Sequence, residues 1–217
     1  MRFRIPDVYQ KFKKTFDKVV KKKVMNKILI ASTNKDKISI VKNIVNSVSS
    51  EKFEILSLRD VAVTSKDDKE CGTIFERAEK KAKECLNGLE DKNEFRFVIG
   101  IDDGIIIKGT LYENVKDFIK PIVEEDFLSE NEVVYIARAY HFIRNDGKEY
   151  SILTKIPFEF HKPKEKVKIE PFSYPLSFVL CQVNSDLPIS KNTPEQNNEY
   201  YLNYSLKQLD DVLNDRK

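Results

Sequence analysis

From residue 27 onward the sequence alternates short apolar runs with segments of helical period. That alternation constrains the fold more than any other feature of the chain. Lys27–Ser32 (Lys-Ile-Leu-Ile-Ala-Ser) is an apolar run bounded by polar residues, which predicts a buried strand. Ile38, Val41, Ile44, Val45 and Val48 then recur at helical spacing. Phe53–Leu58 is a second strand. Thr73-x-x-Glu76 has the form of a capping box, and Phe75, Ala78, Ala82 and Leu86 continue one face of the helix it opens. Phe97–Ile101 is a third buried strand. Val133–Arg144 and Tyr150–Phe160 flank Asn145-Asp146-Gly147, a strong hairpin signal. Thr193-Pro194-Glu195-Gln196 opens a last helix, with Leu202, Leu206, Leu209 and Leu213 as its buried stripe. Strands and helices in this order predict an α/β fold, a central mixed β-sheet flanked by helices.

The chain has 217 residues, enough to bury one core without disulfides. No apolar run is long enough to cross a membrane as a helix, so no membrane span is expected. Three cysteines without a C-x-x-C pair and only two histidines argue against a structural zinc site and for a reducing, cytoplasmic setting. Charge is unevenly placed. Residues 1–27 hold ten Lys or Arg against two Asp, a surplus of eight, so a chain of net charge +3 has a body of −5. Residues 1–25 therefore read as a basic amphipathic helical extension after Pro6, in front of one domain spanning 26–217. A docked helix with a solvated lysine face and a basic helix contacting nucleic acid, a membrane surface or an acidic partner are both open readings. The extension lacks the apolar segment and cleavage site of a secretory signal.

Three segments carry candidate chemistry. Ser32-Thr33-Asn34-Lys35-Asp36-Lys37 lies where the first strand hands over to the first helix. Free N–H groups at a helix start, two lysines and neutral donors suit a phosphate, although an ordinary N-cap would have the same composition. Asp102-Asp103 follows the third strand, and paired carboxylates there suit Mg²⁺ or a water-activating base. Asp-Asp-Gly104 is also ordinary turn chemistry. The helix opened by Thr73 carries Glu76, Lys80 and Lys81, which alone signal only a solvated face.

The order of these segments resembles the inosine/xanthosine triphosphate pyrophosphatase family, enzymes that remove non-standard purine nucleotides. The family pattern is S/T-x-N-x-x-K, then T-F-x-E-N-A-x-x-K-A, then D-D-S-G-L. The matching stretches are Ser32–Lys37, Thr73–Ala78 with Lys81-Ala82, and Asp102–Ile106. The resemblance implies an ITPase-like fold, a homodimer and Mg²⁺-dependent hydrolysis of a nucleoside triphosphate to monophosphate and pyrophosphate. It places Ser32, Thr33, Asn34, Lys35, Lys37 and Lys81 on phosphates. It gives Mg²⁺ to Asp103, Glu70 and Glu76, and makes Asp103 or Asp102 the base. It also stacks a nucleobase on Phe172 and Tyr174.

The sequence departs from the pattern where the family reads the base. F-G-Y-D-P is here Phe172-Ser173-Tyr174-Pro175-Leu176, and K-N-x-x-S-H-R is roughly Glu199-Tyr200-x-x-Asn203-Tyr204-Ser205. A family glutamate and asparagine are replaced by Ile40 and Arg77. These changes imply altered specificity. A catalytically weak or inactive nucleotide-binding homologue, and a nucleic-acid-associated protein using residues 1–25, stand as the alternatives.

Overall fold

The structure is a computed structural model that describes residues 26–49, 51–61, 63, 71–115, 119–122, 127–163 and 175–214. The basic extension, Glu70, Phe172 and Tyr174 lie outside the described residues.

Among the described residues, seven strands form one mixed sheet: β1 (Lys27–Ala31), β2 (Glu54–Ser57), β3 (Phe97–Ile107), β4 (Thr110–Tyr112), β5 (Val133–Arg144), β6 (Glu149–Phe160) and β7 (Leu180–Cys181). Their order is β2-β1-β3-β5-β6-β7, with β4 paired to β3 beside this path. The β2-β1-β3 part is parallel and the rest antiparallel. Asn145-Asp146-Gly147 turns β5 into β6 as expected, with Gly147 at φ +84°. In this left-handed backbone region glycine alone is unstrained.

Helices α1 (Lys35–Val48), α2 (Ile74–Asn87) and α3 (Pro194–Leu213) cover the sheet. α1 and α3 pack on one face, where Val41, Ile44, Leu209, Val212 and Leu213 meet Ile28, Ile30, Ile99, Ile101 and Phe142. α2 covers the other face, with Ala82 and Cys85 against Leu29, Ala31 and Val98. A second apolar cluster joins the far halves of β3, β5 and β6 to Leu176, Val179 and Leu180. α2 approaches closely because the strand beneath it is bare. A Cβ on Gly100 would stand 1.9 Å from the Ala78 carbonyl oxygen.

Two expectations need correction. The third strand does not end at Ile101. It runs on to Ile107, because β5 pairs with it from Phe97 through Ile106. Asp102 and Asp103 are therefore mid-strand. What ends is β1, whose last residue Ala31 pairs with Gly100, so the aspartates stand just past the last parallel pair. On α2, Phe75 is exposed rather than buried, and the covered positions are Ile74, Arg77, Ala78, Ala82 and Cys85. A buried arginine on the apolar side of a helix is the first sign of the site.

Candidate functional site

The pleat sends Asp102 and Asp103 to opposite faces of the sheet. Asp102 faces α2. Arg77 Nε donates to its Oδ2 at 2.5 Å, and Lys81 Nζ lies 3.2 Å from the same oxygen. The Asp103 backbone N–H donates to Asp102 Oδ1 at 2.9 Å. Asp103 pairs in register with Arg138 on β5, which grips it bidentately through Nε at 2.7 Å and Nη2 at 3.1 Å. Lys37, in the first turn of α1, bridges the two acids. Its Nζ lies 3.4 Å from Asp102 Oδ1 and 3.3 Å from Asp103 Oδ2.

Four cations thus surround two carboxylates, a surplus of two positive charges. All four carboxylate oxygens are engaged. Burial alone would raise the proton affinity of both acids. For Asp102 it is outweighed by Lys37, Lys81 and Arg77, and for Asp103 by Arg138 and Lys37, so both stay below the ordinary carboxylate range.

Arg77 is fully committed. Besides Asp102, its Nη1 donates to the Gly72 carbonyl at 2.7 Å and its Nη2 to the Glu113 carbonyl at 2.5 Å. It clamps the start of α2 to β3 and to the end of β4. Arg138 is less complete. Its guanidinium carbon lies 5.2 Å from the Tyr201 ring centroid, and its Nη1 is buried without a hydrogen-bond partner among the described residues. The Tyr140 and Ser205 hydroxyls are buried close by.

The loop after β1 is organised by its own side chains. Asn34 caps α1, its Oδ1 accepting from the N–H groups of Asp36 at 2.9 Å and Lys37 at 3.1 Å. Ser32 Oγ accepts from Asn34 N–H at 3.1 Å, and Arg59 Nε donates to the Thr33 carbonyl at 2.8 Å. Lys35 is outside the aspartate cluster. With Lys42, Arg59 and Asp60 it lines an open groove of about 370 Å³ between α1 and the end of β2.

Glu76 closes the capping box. Its Oε2 accepts from Thr73 N–H at 2.8 Å and Oγ1 at 3.1 Å, and these bonds lower its proton affinity. Sequence reasoning named Asp102, Asp103, Lys37 and Lys81, which the structure brings together. It named Arg77 only as a departure and missed Arg138. The signal for Arg138 was an arginine between two alanines in a largely apolar strand.

Three solved structures share this architecture. The Staphylococcus aureus Ham1 protein superposes with a TM-score of 0.58 at 14% identity, covering 88% of this chain and 100% of that one. A HAM1 protein from Coxiella burnetii gives 0.58 at 13%, with the same coverage. The nucleoside-triphosphatase / dITP/XTP pyrophosphatase from Mycobacterium abscessus gives 0.53 at 14%, covering 84% of this chain and 97% of that one. The chain has the Ham1-type fold. No family model matches the sequence, and no curated protein matches it at a significant level.

Within this Ham1-type fold, the described residues do not fit Mg²⁺. No group of three or more His, Cys, Asp or Glu placed to hold a metal ion occurs among them. Asp102 and Asp103 already carry four cations between them. A hard divalent ion needs anionic oxygen with free lone pairs, and here it would have to displace guanidinium groups.

Proposed function

We propose that the protein binds a nucleoside triphosphate through its phosphate chain, on the Lys37 and Lys81 side of the aspartate cluster. The cation surplus carries this reading: four positive side chains and only two acids gather past the end of β1. Open α/β sheets collect their ligands at such places. Lys37 and Lys81 are the members with solvent-accessible side chains beside those acids, at 17% and 33% exposure. They are free to be shared between an aspartate and a phosphate oxygen. The pyrophosphatase named among the fold relatives supports a nucleoside triphosphate as the ligand class.

Hydrolysis to monophosphate and pyrophosphate is the second reading. The adjacent aspartates, placed just past β1 and beside a lysine of the α1 first turn, favour it. As bases, however, Asp102 and Asp103 are weak, because cations occupy both oxygens of each and depress their proton affinity. Binding is therefore the leading reading.

Calorimetric titration with a panel of nucleoside triphosphates (standard, deaminated and oxidised) tests the first reading, and pyrophosphate release tests the second. Saturable binding by wild type that weakens in a folded Lys37→Ala variant is the expected result. Turnover of one subset would establish the second reading and name its base. No binding by any member of the panel to folded protein would overturn the first.

A further inference from the structure

We infer that Arg77 and Arg138 neutralise Asp102 and Asp103 in place of a divalent cation, so that the site takes its triphosphate without metal. The inference rests on the nucleotide reading above and deepens it. Three observations point the same way. Both guanidinium groups are buried, at 7% and 4% exposure, and each is bonded to a different aspartate. They are not surface pairs that an arriving ion could brush aside. Arg77 also holds two backbone carbonyls, so removing it from Asp102 would unpick the join between α2 and β4. The hydrogen-bonding capacity beside Asp103 is of the wrong kind for a metal. Arg138 Nη1 is a buried donor, and the neighbouring Tyr140 phenol is kept protonated by its burial. A cation placed there would meet the positive charge of the Arg138 guanidinium.

The charge arithmetic agrees. A free nucleoside triphosphate carries several negative charges, and a site with a surplus of two positive charges attracts it more strongly than its magnesium complex, which has lost two of them. In this protein the guanidinium groups neutralise the aspartates. That leaves Lys37 and Lys81 for the phosphates.

The test is calorimetric titration of the full chain with inosine triphosphate and with inorganic tripolyphosphate, in EDTA and in excess Mg²⁺. The expected result is binding in EDTA that is equal to, or tighter than, binding in Mg²⁺. Binding about tenfold or more weaker in EDTA would overturn the inference while leaving the nucleotide reading intact. No binding in either condition would overturn the nucleotide reading instead, and the metal question is then decided without nucleotide. Mn²⁺ titrated into the ligand-free wild type, followed by its paramagnetic resonance signal, should remain free. Mn²⁺ held by the wild type would overturn the inference. The double variant Arg77→Asn, Arg138→Ala leaves the aspartates only Lys37 and Lys81 and should gain Mn²⁺ binding. Should that variant not fold, the wild-type Mn²⁺ titration still decides.

Discussion

At the residue scale, the two aspartates show how one chemical pattern serves opposite ends. Adjacent carboxylates in an apolar strand are costly to bury unless something compensates them. Their presence was readable in the sequence as a sign that a cation must sit close by. Which cation was not readable, because Arg138 reaches Asp103 only through the β3–β5 register, a pairing of residues 35 positions apart in the chain. Buried ion pairs of this kind add little net stability but are costly to break from one side. Arg138→Met should therefore destabilise the fold by about 3 kcal/mol, since Asp103 keeps only Lys37. Arg138→Met with Asp103→Leu should recover most of that loss. Denaturant unfolding of the four members of the cycle measures the coupling. Additive single effects would mean that the pair is solvated and independent.

At the element scale, the caps were legible and the strand limits were not. Thr73 and Thr193 each form the capping box that their sequences announce, with Glu76 and Gln196 closing back on the cap. Such boxes depend on residues three positions apart, so local sequence suffices. The length of β3 depends on its partners, and Asp-Asp-Gly is locally a turn signal that the β5 pairing overrides. The close seat of α2 on β3 is similarly non-local. It joins Gly100 to the Ala78 turn and so sets how near Arg77 and Lys81 come to Asp102. Gly100→Ala would drive its Cβ into the Ala78 carbonyl, a backbone atom that no rotamer change can move. The expected cost is at least about 1–3 kcal/mol, as for other overpacked interiors. A melting temperature unchanged from wild type would show that α2 can lift away freely, and the Arg77–Asp102 contact would then not be fixed by packing.

At the scale of the whole molecule, the α/β class was legible because strand and helix periods alternate from residue 27 and neither depends on partners. The division of labour across the sheet was not. Its parallel part, β2-β1-β3, is sandwiched between α1 and α3 on one side and α2 on the other. The antiparallel part extends the long strands β3, β5 and β6 into a second apolar cluster. β3, β5 and β6 each contribute side chains to both the α1–α3 core and this second cluster, so the two share their long strands. Ile99 sits where this matters most. It is fully buried, pairs with Ile30 of β1 on one side and Phe142 of β5 on the other, and packs in the α1–α3 core. A carboxylate there would be an unpaired charge in an apolar interior, a loss too large for a marginally stable domain to absorb. Ile99→Asp should therefore abolish the cooperative unfolding transition, with the far-ultraviolet and tyrosine near-ultraviolet signals lost together because both clusters hang on the same strands. Val133→Asp is the matched control. It introduces the same charge on β5 at a position 41% exposed, and should leave the transition within a few degrees of wild type. A folded Ile99→Asp protein that keeps a cooperative transition would show that β3 is not central to the fold.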